Sequence, residues 1–438
     1  MSSFLSIVGI VVLLLIAFLL SSNRRAIRYR TVLGALSMQI GIGALILYVP
    51  AGRDALLAMS NGVQQVIDYG NNGIAFLFGG LVSDKMFEVF DGGGFIFVLR
   101  VLPVIVFFAS LISVLYYIGI MQWIIKIIGG FLQIALKTSK TESMSAAANI
   151  FVGQTEAPLV VKPYIAKMIQ SELFAIMCGG LASIAGSALA GYAAMGVPVP
   201  YLIAASFMAA PGGLLFAKML VPQTEKPNDD IDHNTAEDKP VNILDAAAAG
   251  ASSGMQLAMN VGAMLLAFVA LIALLNGLIG GIGVWFGQPE LSLQMILGRV
   301  FQPLAYLLGI PWSEAQVAGA MIGQKLVINE QVAGAMIGQK LVINEFVAYL
   351  DFSRYLGENP PMILSDKTKA IITFALCGFA NLGSIAILIG GIGTLAPNRR
   401  ADIARMGIKA VIAGSLSNLM SATIAGLFIG LTGVALVG

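Results

Sequence analysis

Long apolar runs, parted by short polar breaks, set the pattern of this chain. Apolar residues dominate 4–21, 31–50, 95–118, 171–193, 198–220, 255–280, 367–394 and 407–436. Each run has about 18 residues or more, enough for a helix to cross ~30 Å of hydrocarbon. Four further stretches, 53–69, 78–91, 119–137 and 242–253, read as helices that lie along the interface or pack as short elements. A barrel of the outer-membrane type would show short alternating segments instead. The pattern therefore predicts an all-α polytopic membrane protein with eight transmembrane helices and several interfacial ones. Met1 to Leu20 carries no charge before its apolar run and no evident cleavage site, so it reads as a first span and not as a signal peptide.

Two polar interruptions stand out. The first is Asn149-Ile150-Phe151-Val152-Gly153-Gln154-Thr155-Glu156-Ala157-Pro158. A carboxylate at membrane depth costs about 2.5–3.5 kcal/mol on insertion scales, so Glu156 implies a ligand, an ion or a partner group. Gly153 and Pro158 break a helix here and free backbone amides and carbonyls. Residues 141–161 are long enough to cross once, yet Lys140 and Lys162 bracket them, and the positive-inside bias puts both on one side. A re-entrant hairpin meets both conditions. Its half-helices would each run about 15–18 Å and meet at Gln154-Thr155-Glu156, with Pro158 in the first turn of the returning arm. One kinked span is the alternative. The second interruption, within 313–350, carries Asn344-Glu345-Phe346-Val347-Ala348-Tyr349 and by parity enters from the opposite face.

The chain also resembles itself. Cys178-Gly179-Gly180-Leu181-Ala182-Ser183-Ile184-Ala185 follows the first hairpin, and Cys377-Gly378-Phe379-Ala380-Asn381-Leu382-Gly383-Ser384-Ile385-Ala386 follows the second. Both begin Cys-Gly and end Ser-Ile-Ala. A hairpin plus two spans thus occurs twice, in opposite orientation, and an inverted repeat of this kind places a transporter's site at its interface. The glycines and polar residues in both second elements predict helices that unwind at mid-depth. The expected organisation is a scaffold of spans and interfacial helices over 1–137, a first repeat over 138–221, and a cytoplasmic linker over 222–243. An interfacial helix and scaffold span over 244–312 and a second repeat over 313–438 complete it.

Charge orients the spans. Arg24, Arg25, Arg28 and Arg30, then Lys137, Lys140, Lys162 and Lys167, then Arg399, Arg400 and Arg405 lie in three loops that the positive-inside rule assigns to the cytoplasm. Eight spans then leave both termini outside, in the periplasm of a bacterial inner membrane. Composition agrees with the class: of 438 residues, 11% are charged and 58% hydrophobic, with a mean hydropathy of +0.88, where soluble domains carry about 25% charged residues. A net charge of +2 is too small to suggest nucleic acid as a partner. Cys178 and Cys377 sit in apolar segments and read as packing residues. No metal-ligand spacing, phosphate loop or nucleophile beside a base is visible, which argues against an intramembrane enzyme. A symporter for a small polar solute or a channel remains.

The stretches 141–165, 344–349 and 377–388 resemble the concentrative nucleoside transporter family, bacterial sodium-coupled type, and the similarity runs from the second span onward. The resemblance implies a secondary symporter that imports nucleosides by an elevator-type motion, as a homotrimer in the lipid bilayer, without an organic cofactor. It implies that Gln154, Thr155 and Glu156 face the nucleobase. Glu345, Asn381 and Ser384, with Phe379 nearby, face the ribose hydroxyls. Asn149 and Ser183, with the carbonyls of Val152 and Ile184, form the sodium site. The residue types suit these roles. A base edge presents donors and acceptors, and Gln offers both; freed carbonyls and neutral oxygens at half-helix ends suit a small cation. Sodium is the favoured driver. A proton stays open because Glu156 and Glu345 can titrate, as does another small polar solute.

One feature departs from the family. QVAGAMIGQKLVINE occurs twice without a difference, at 316–330 and 331–345. Drift does not preserve a perfect copy, so this is a recent duplication, an insertion or an assembly error. If helical, the extra segment adds about 22 Å. It brings a second Lys-Asn-Glu set, with Asn329 and Glu330 as possible displaced duplicates. Glu345 is expected to keep the site role because it starts the returning arm.

Overall fold

A computed structural model describes residues 2–83, 85–90, 95–227, 240–331, 345–357 and 360–433, the side chains at 2, 3, 87, 268 and 326–331 excepted. Among these residues there is helix and no strand. The helices are α1 (Ser2–Leu19), α2 (Tyr29–Leu47), α3 (Pro50–Phe78), α4 (Lys85–Val89), α5 (Phe97–Arg100), α6 (Leu102–Tyr117) and α7 (Ile120–Leu136). They continue as α8 (Lys140–Ala148), α9 (Lys162–Ile165), α10 (Gln170–Ala182), α11 (Gly186–Ala194), α12 (Val199–Leu220) and α13 (Ile243–Trp285). The last are α14 (Leu293–Leu307), α15 (Trp312–Gln331), α16 (Glu345–Ser353), α17 (Asp366–Leu376), α18 (Gly383–Leu395) and α19 (Arg400–Thr432).

Among the described residues, six helical stretches, three of them joining two neighbouring helical segments, are long and apolar enough to cross a membrane: Tyr29–Leu47, Phe97–Tyr117, Gln170–Ala194, Val199–Leu220, Ile243–Trp285 and Pro397–Thr432. Of the other two expected spans, α1 is a shorter apolar helix, and 367–394 is divided between α17 and α18. The loop arginine Arg24 closes α1 by donating to the carbonyls of Phe18 (3.1 Å) and Leu19 (2.8 Å), where a cation suits the C-terminal dipole.

Burial separates centre from edge. The apolar windows of Gln170–Ala194 and Val199–Leu220 are each 94% buried, whereas that of α13 is 12% buried. The core therefore lies where α10, α12 and α19 pack together, with α2, α17 and α1 around them. At the edge, α6 and α13 lie side by side. The expected separate helices at 242–253 and 255–280 are one element, α13, because the Ala-rich stretch 246–251 provides no stop. Asn242 caps its start by accepting from Asp245 N at 2.9 Å. The stretch 78–91 is mostly a 3₁₀ turn and the short α4.

The internal repeat is larger than a hairpin and two spans. Each hairpin follows an amphipathic helix, α7 or α14, and α14 turns into α15 through a 115° bend. Helix α14 is not among the expected elements, because its apolar face is too short to register as a run. The order span, amphipathic helix, hairpin, broken span, span thus recurs as α6 to α12 and as α13 to α19.

Candidate functional site

The first hairpin is built from α8, a turn at 149–156, a 3₁₀ segment Ala157–Val161 and α9. Ser139 and Glu142 form a capping box that fixes its start: Ser139 N donates to Glu142 Oε2 at 3.1 Å and Glu142 N to Ser139 Oγ at 3.3 Å. The buried Lys218 of α12 pairs with Glu142 Oε1. Thr141 Oγ1 donates to Glu172 Oε1 at 3.0 Å, which ties the hairpin's base to α10. Pro158 lies in the first turn of the returning 3₁₀ segment, where its missing N–H leaves no helical bond unmade.

Both second elements unwind. α10 stops at Ala182 and resumes as α11 at Gly186; α17 stops at Leu376 and resumes as α18 at Gly383. The two breaks meet: Phe379 N donates to Ser183 O at 3.1 Å. Two consecutive glycines let the hairpin tip approach the first break. A Cβ on Gly179 would stand 3.0 Å from Asn149 Nδ2, and one on Gly180 only 2.8 Å from Gln154 Cβ.

The residues fall into two groups around this crossing. Asn149, at the end of α8, donates through Nδ2 to Ser145 O at 3.0 Å. Its Oδ1 is buried and has no hydrogen-bond partner among the described residues. Ser183 Oγ donates to Gly179 O at 3.0 Å, so both side chains converge on one turn of α10. Val152 and Ile184 are buried in the hairpin tip and in the break. An unpartnered buried oxygen is costly, and an amide oxygen is a donor that a small hard cation takes.

The second group is a continuous hydrogen-bonded chain. Gln154 Nε2 donates to Ser384 Oγ at 3.3 Å, and Ser384 Oγ to Asn381 Oδ1 at 3.1 Å. Asn381 Nδ2 donates to Glu345 Oε2 at 3.2 Å, and Tyr192 OH to Glu345 Oε1 at 2.7 Å. The chain joins the tip of the first hairpin, the second break, the start of α16 and the far half of the first broken span. Glu345, Asn381 and Ser384 are fully buried; Phe379 is half-buried. Thr155 and Glu156 are exposed at the tip. Glu156 Oε2 accepts from Gly153 N at 3.1 Å, and Thr155 packs on α18 at Gly391. Asn329 and Glu330 fall in the last turns of α15, and their side chains, like residues 332–344, lie outside the described residues.

Two residues near the crossing, Tyr192 and Asn418, are absent from the sequence reading, which has Lys325 only as part of the second Lys-Asn-Glu set. Tyr192 is the one phenol of α11, and its ring stacks at 4.5 Å on Phe346 and 4.3 Å on Tyr349. Asn418 and Lys325 bond the ends of the broken helices. The polar cluster Ser415, Ser417, Asn418 and Ser421 inside the last apolar run was the available signal for Asn418. Arg100, a charge within the third span, donates to Ser83 O at 3.0 Å.

A family model described as "Na+ dependent nucleoside transporter C-terminus" matches residues 201–334 and again 331–426, the match restarting at the duplicated segment. Its N-terminal counterpart matches 8–81, and a model described as "Gate: Nucleoside recognition" matches 98–199. Nucleoside permease NupC of Helicobacter pylori is 56% identical over 98% of this chain and 99% of its own. An uncharacterised transporter of Haemophilus influenzae is 63% identical over the full length of both. The chain belongs to the concentrative nucleoside transporter family. The transporter CNTnw in an inward-facing substrate-bound state shares 64% identity and superposes with a TM-score of 0.92, covering 99% of this chain and 100% of that one. A doubly substituted CNTnw in an outward-facing state superposes with a TM-score of 0.94 at 64% identity, covering 99% of each chain. A member of this family moves nucleosides across a membrane and is a transporter, not an enzyme, which removes the intramembrane-enzyme alternative.

Proposed function

We propose that this chain imports nucleosides across a bacterial inner membrane together with sodium, the nucleoside lying along the Gln154–Tyr192 chain and the ion beside Asn149. The observation that carries the reading is the single hydrogen-bonded chain that spans both repeats, with a buried Asn149 Oδ1, unpartnered among the described residues, on a side chain that meets α10 at Gly179, next to the Gly180 that meets Gln154. Ribose hydroxyls suit Glu345 and Asn381, since a carboxylate accepts and an amide does both. A base edge suits Gln154, Thr155 and Glu156, with Phe379 as an apolar wall. Sodium, bound by Asn149 Oδ1, Ser183 and the carbonyls of Val152 and Ile184, would neutralise the half-helix ends and hold the tip against the break. The family's description as sodium-dependent supports the ion. Tip and break share contacts, so ion and nucleoside should raise each other's affinity by one common factor.

The larger arrangement is part of the same proposal. The hairpins and broken spans form the moving body and α6 with α13 belongs to the scaffold, in a homotrimer with both termini periplasmic. That CNTnw exists in inward-facing, outward-facing and intermediate states supports an elevator-type exchange for a chain so similar. The test is uptake of radiolabelled uridine by proteoliposomes under an inward sodium gradient and, separately, an inward proton gradient. Concentration of uridine with sodium alone is the expected result. Concentration with protons alone would overturn the ion assignment and turn attention to Glu156, the exposed carboxylate. No uptake under either gradient would overturn the nucleoside reading for this chain.

A further inference from the structure

Lys325 belongs to neither group above, yet its side chain is only 2% exposed. A buried ammonium costs several kcal/mol unless its surroundings compensate it. Here the compensation comes from two helix ends. Nζ donates to Ala375 O at 2.8 Å and to Asn418 Oδ1 at 2.9 Å. Asn418 in turn donates through Nδ2 to Ala182 O at 2.6 Å and to Cys377 O at 2.8 Å. Ala182 ends α10, and Ala375 and Cys377 lie at the end of α17. Each C-terminus carries roughly half a negative charge, and both converge on one ammonium and one amide.

The surrounding backbone fits around this cluster. α19 presents Gly414 to the same crossing, where a Cβ would stand 2.9 Å from Leu181 Cβ and 3.1 Å from Ala380 Cβ. One turn later it presents Asn418, whose side chain would clash with any Cβ at Gly378. Ser183 and Ile184 follow Ala182 directly, and Asn381 and Ser384 follow Cys377 within the second break. The cluster therefore stands between the ion group and the ribose group.

Its origin in the sequence is unusual. Lys325 arrives on α15 and belongs to the first copy of the duplicated segment; Glu345 opens α16 and closes the second copy. In a single copy the lysine and glutamate would be Lys325 and Glu330, or Lys340 and Glu345. Here the lysine that bonds the helix ends is Lys325, and the carboxylate that accepts from Tyr192 and Asn381 is Glu345.

We propose that Lys325, acting through Asn418, is a positioning residue that locks the two breaks together and links the ion to the nucleoside, and that the working second hairpin is a composite, its lysine from the first copy and its glutamate from the second. The link to transport rests on the proposed function above; the composite origin does not.

The experiment compares K325M, K340M and E330Q with the unaltered chain. Two quantities are read: the melting temperature of purified ligand-free protein, and the sodium concentration that gives half-maximal uridine uptake. K325M should melt lower and raise the half-saturating sodium at least fivefold, with K325R recovering part of the loss. K340M and E330Q should stay within twofold of the parent. A damaging K340M beside a harmless K325M would overturn the composite. A K325M that melts lower but keeps the parent's sodium dependence would overturn the link to transport. Should K325M not purify, N418A carries the same test, and an unchanged half-saturating sodium in that variant would sink the idea. If the unaltered chain takes up no uridine, the nucleoside reading fails, while melting of K325M or K325R against K340M still decides which copy supplies the lysine.

Discussion

Replacing Tyr192 by Phe tests the ribose end of the site most directly. Glu345 is fully buried and has two side-chain donors among the described residues, Tyr192 OH at 2.7 Å and Asn381 Nδ2 at 3.2 Å. The substitution deletes the shorter bond and keeps the ring, whose stacking on Phe346 and Tyr349 needs no hydroxyl. A hydrogen bond to a charged group contributes about 1.5–3 kcal/mol. If that energy orients the carboxylate for ribose, affinity should fall roughly 10- to 150-fold, since 1.4 kcal/mol is tenfold. The assay is calorimetric titration of uridine into purified protein at saturating sodium, with uptake KM as a second measure. The control is a cycle with E345Q. Because the two side chains touch, Y192F should lose most of its effect once Glu345 is Gln. Affinity within twofold of the parent, or penalties that simply add, would refute the orienting role.

Two further substitutions probe other parts of the structure. Asn149→Ala removes the unpartnered buried oxygen and should raise the sodium needed for half-maximal uptake about tenfold, the order expected for losing a hydrogen-bond-sized contact of ~1.4 kcal/mol, while the uridine KM extrapolated to saturating sodium changes little; stepped sodium in the uptake assay measures both. Lys218→Met leaves Glu142 buried without its cation, a change that costs about 3–5 kcal/mol, and the double variant with Glu142→Gln should recover most of the lost stability in thermal melts.

The sequence made some features plain and hid others for physical reasons. Apolar run length announced the spans, and the Gly-Pro spacing around Gln154-Thr155-Glu156 announced the hairpin, because helix breaks at membrane depth need special residues. The paired Cys-Gly motifs pointed to the unwound helices, since Gly179 and Gly180 mark where the tip comes close. Amphipathic α14 stayed hidden because a half-apolar helix averages out in a hydropathy reading. α13 was split in two because its first turns carry small alanines that look neither apolar nor polar. The contacts of Lys325, Asn418 and Tyr192 were missed for another reason. Each acts on a group distant in sequence, and nothing local says that a lysine in one arm will meet a carbonyl from the end of α17. The duplication was legible as text, but its division between α15 and α16 required the three-dimensional arrangement.

The bond from Phe379 N to Ser183 O joins the two halves of the repeat through main-chain atoms. No exchange of one side chain for another deletes it, save proline at 379, which alone lacks the hydrogen. Side-chain chemistry around the crossing can therefore drift toward other solutes while the two strands of the machine keep their alignment. The junction is inherited with the path of the backbone, and the freedom to change cargo is left to the residues hung upon it.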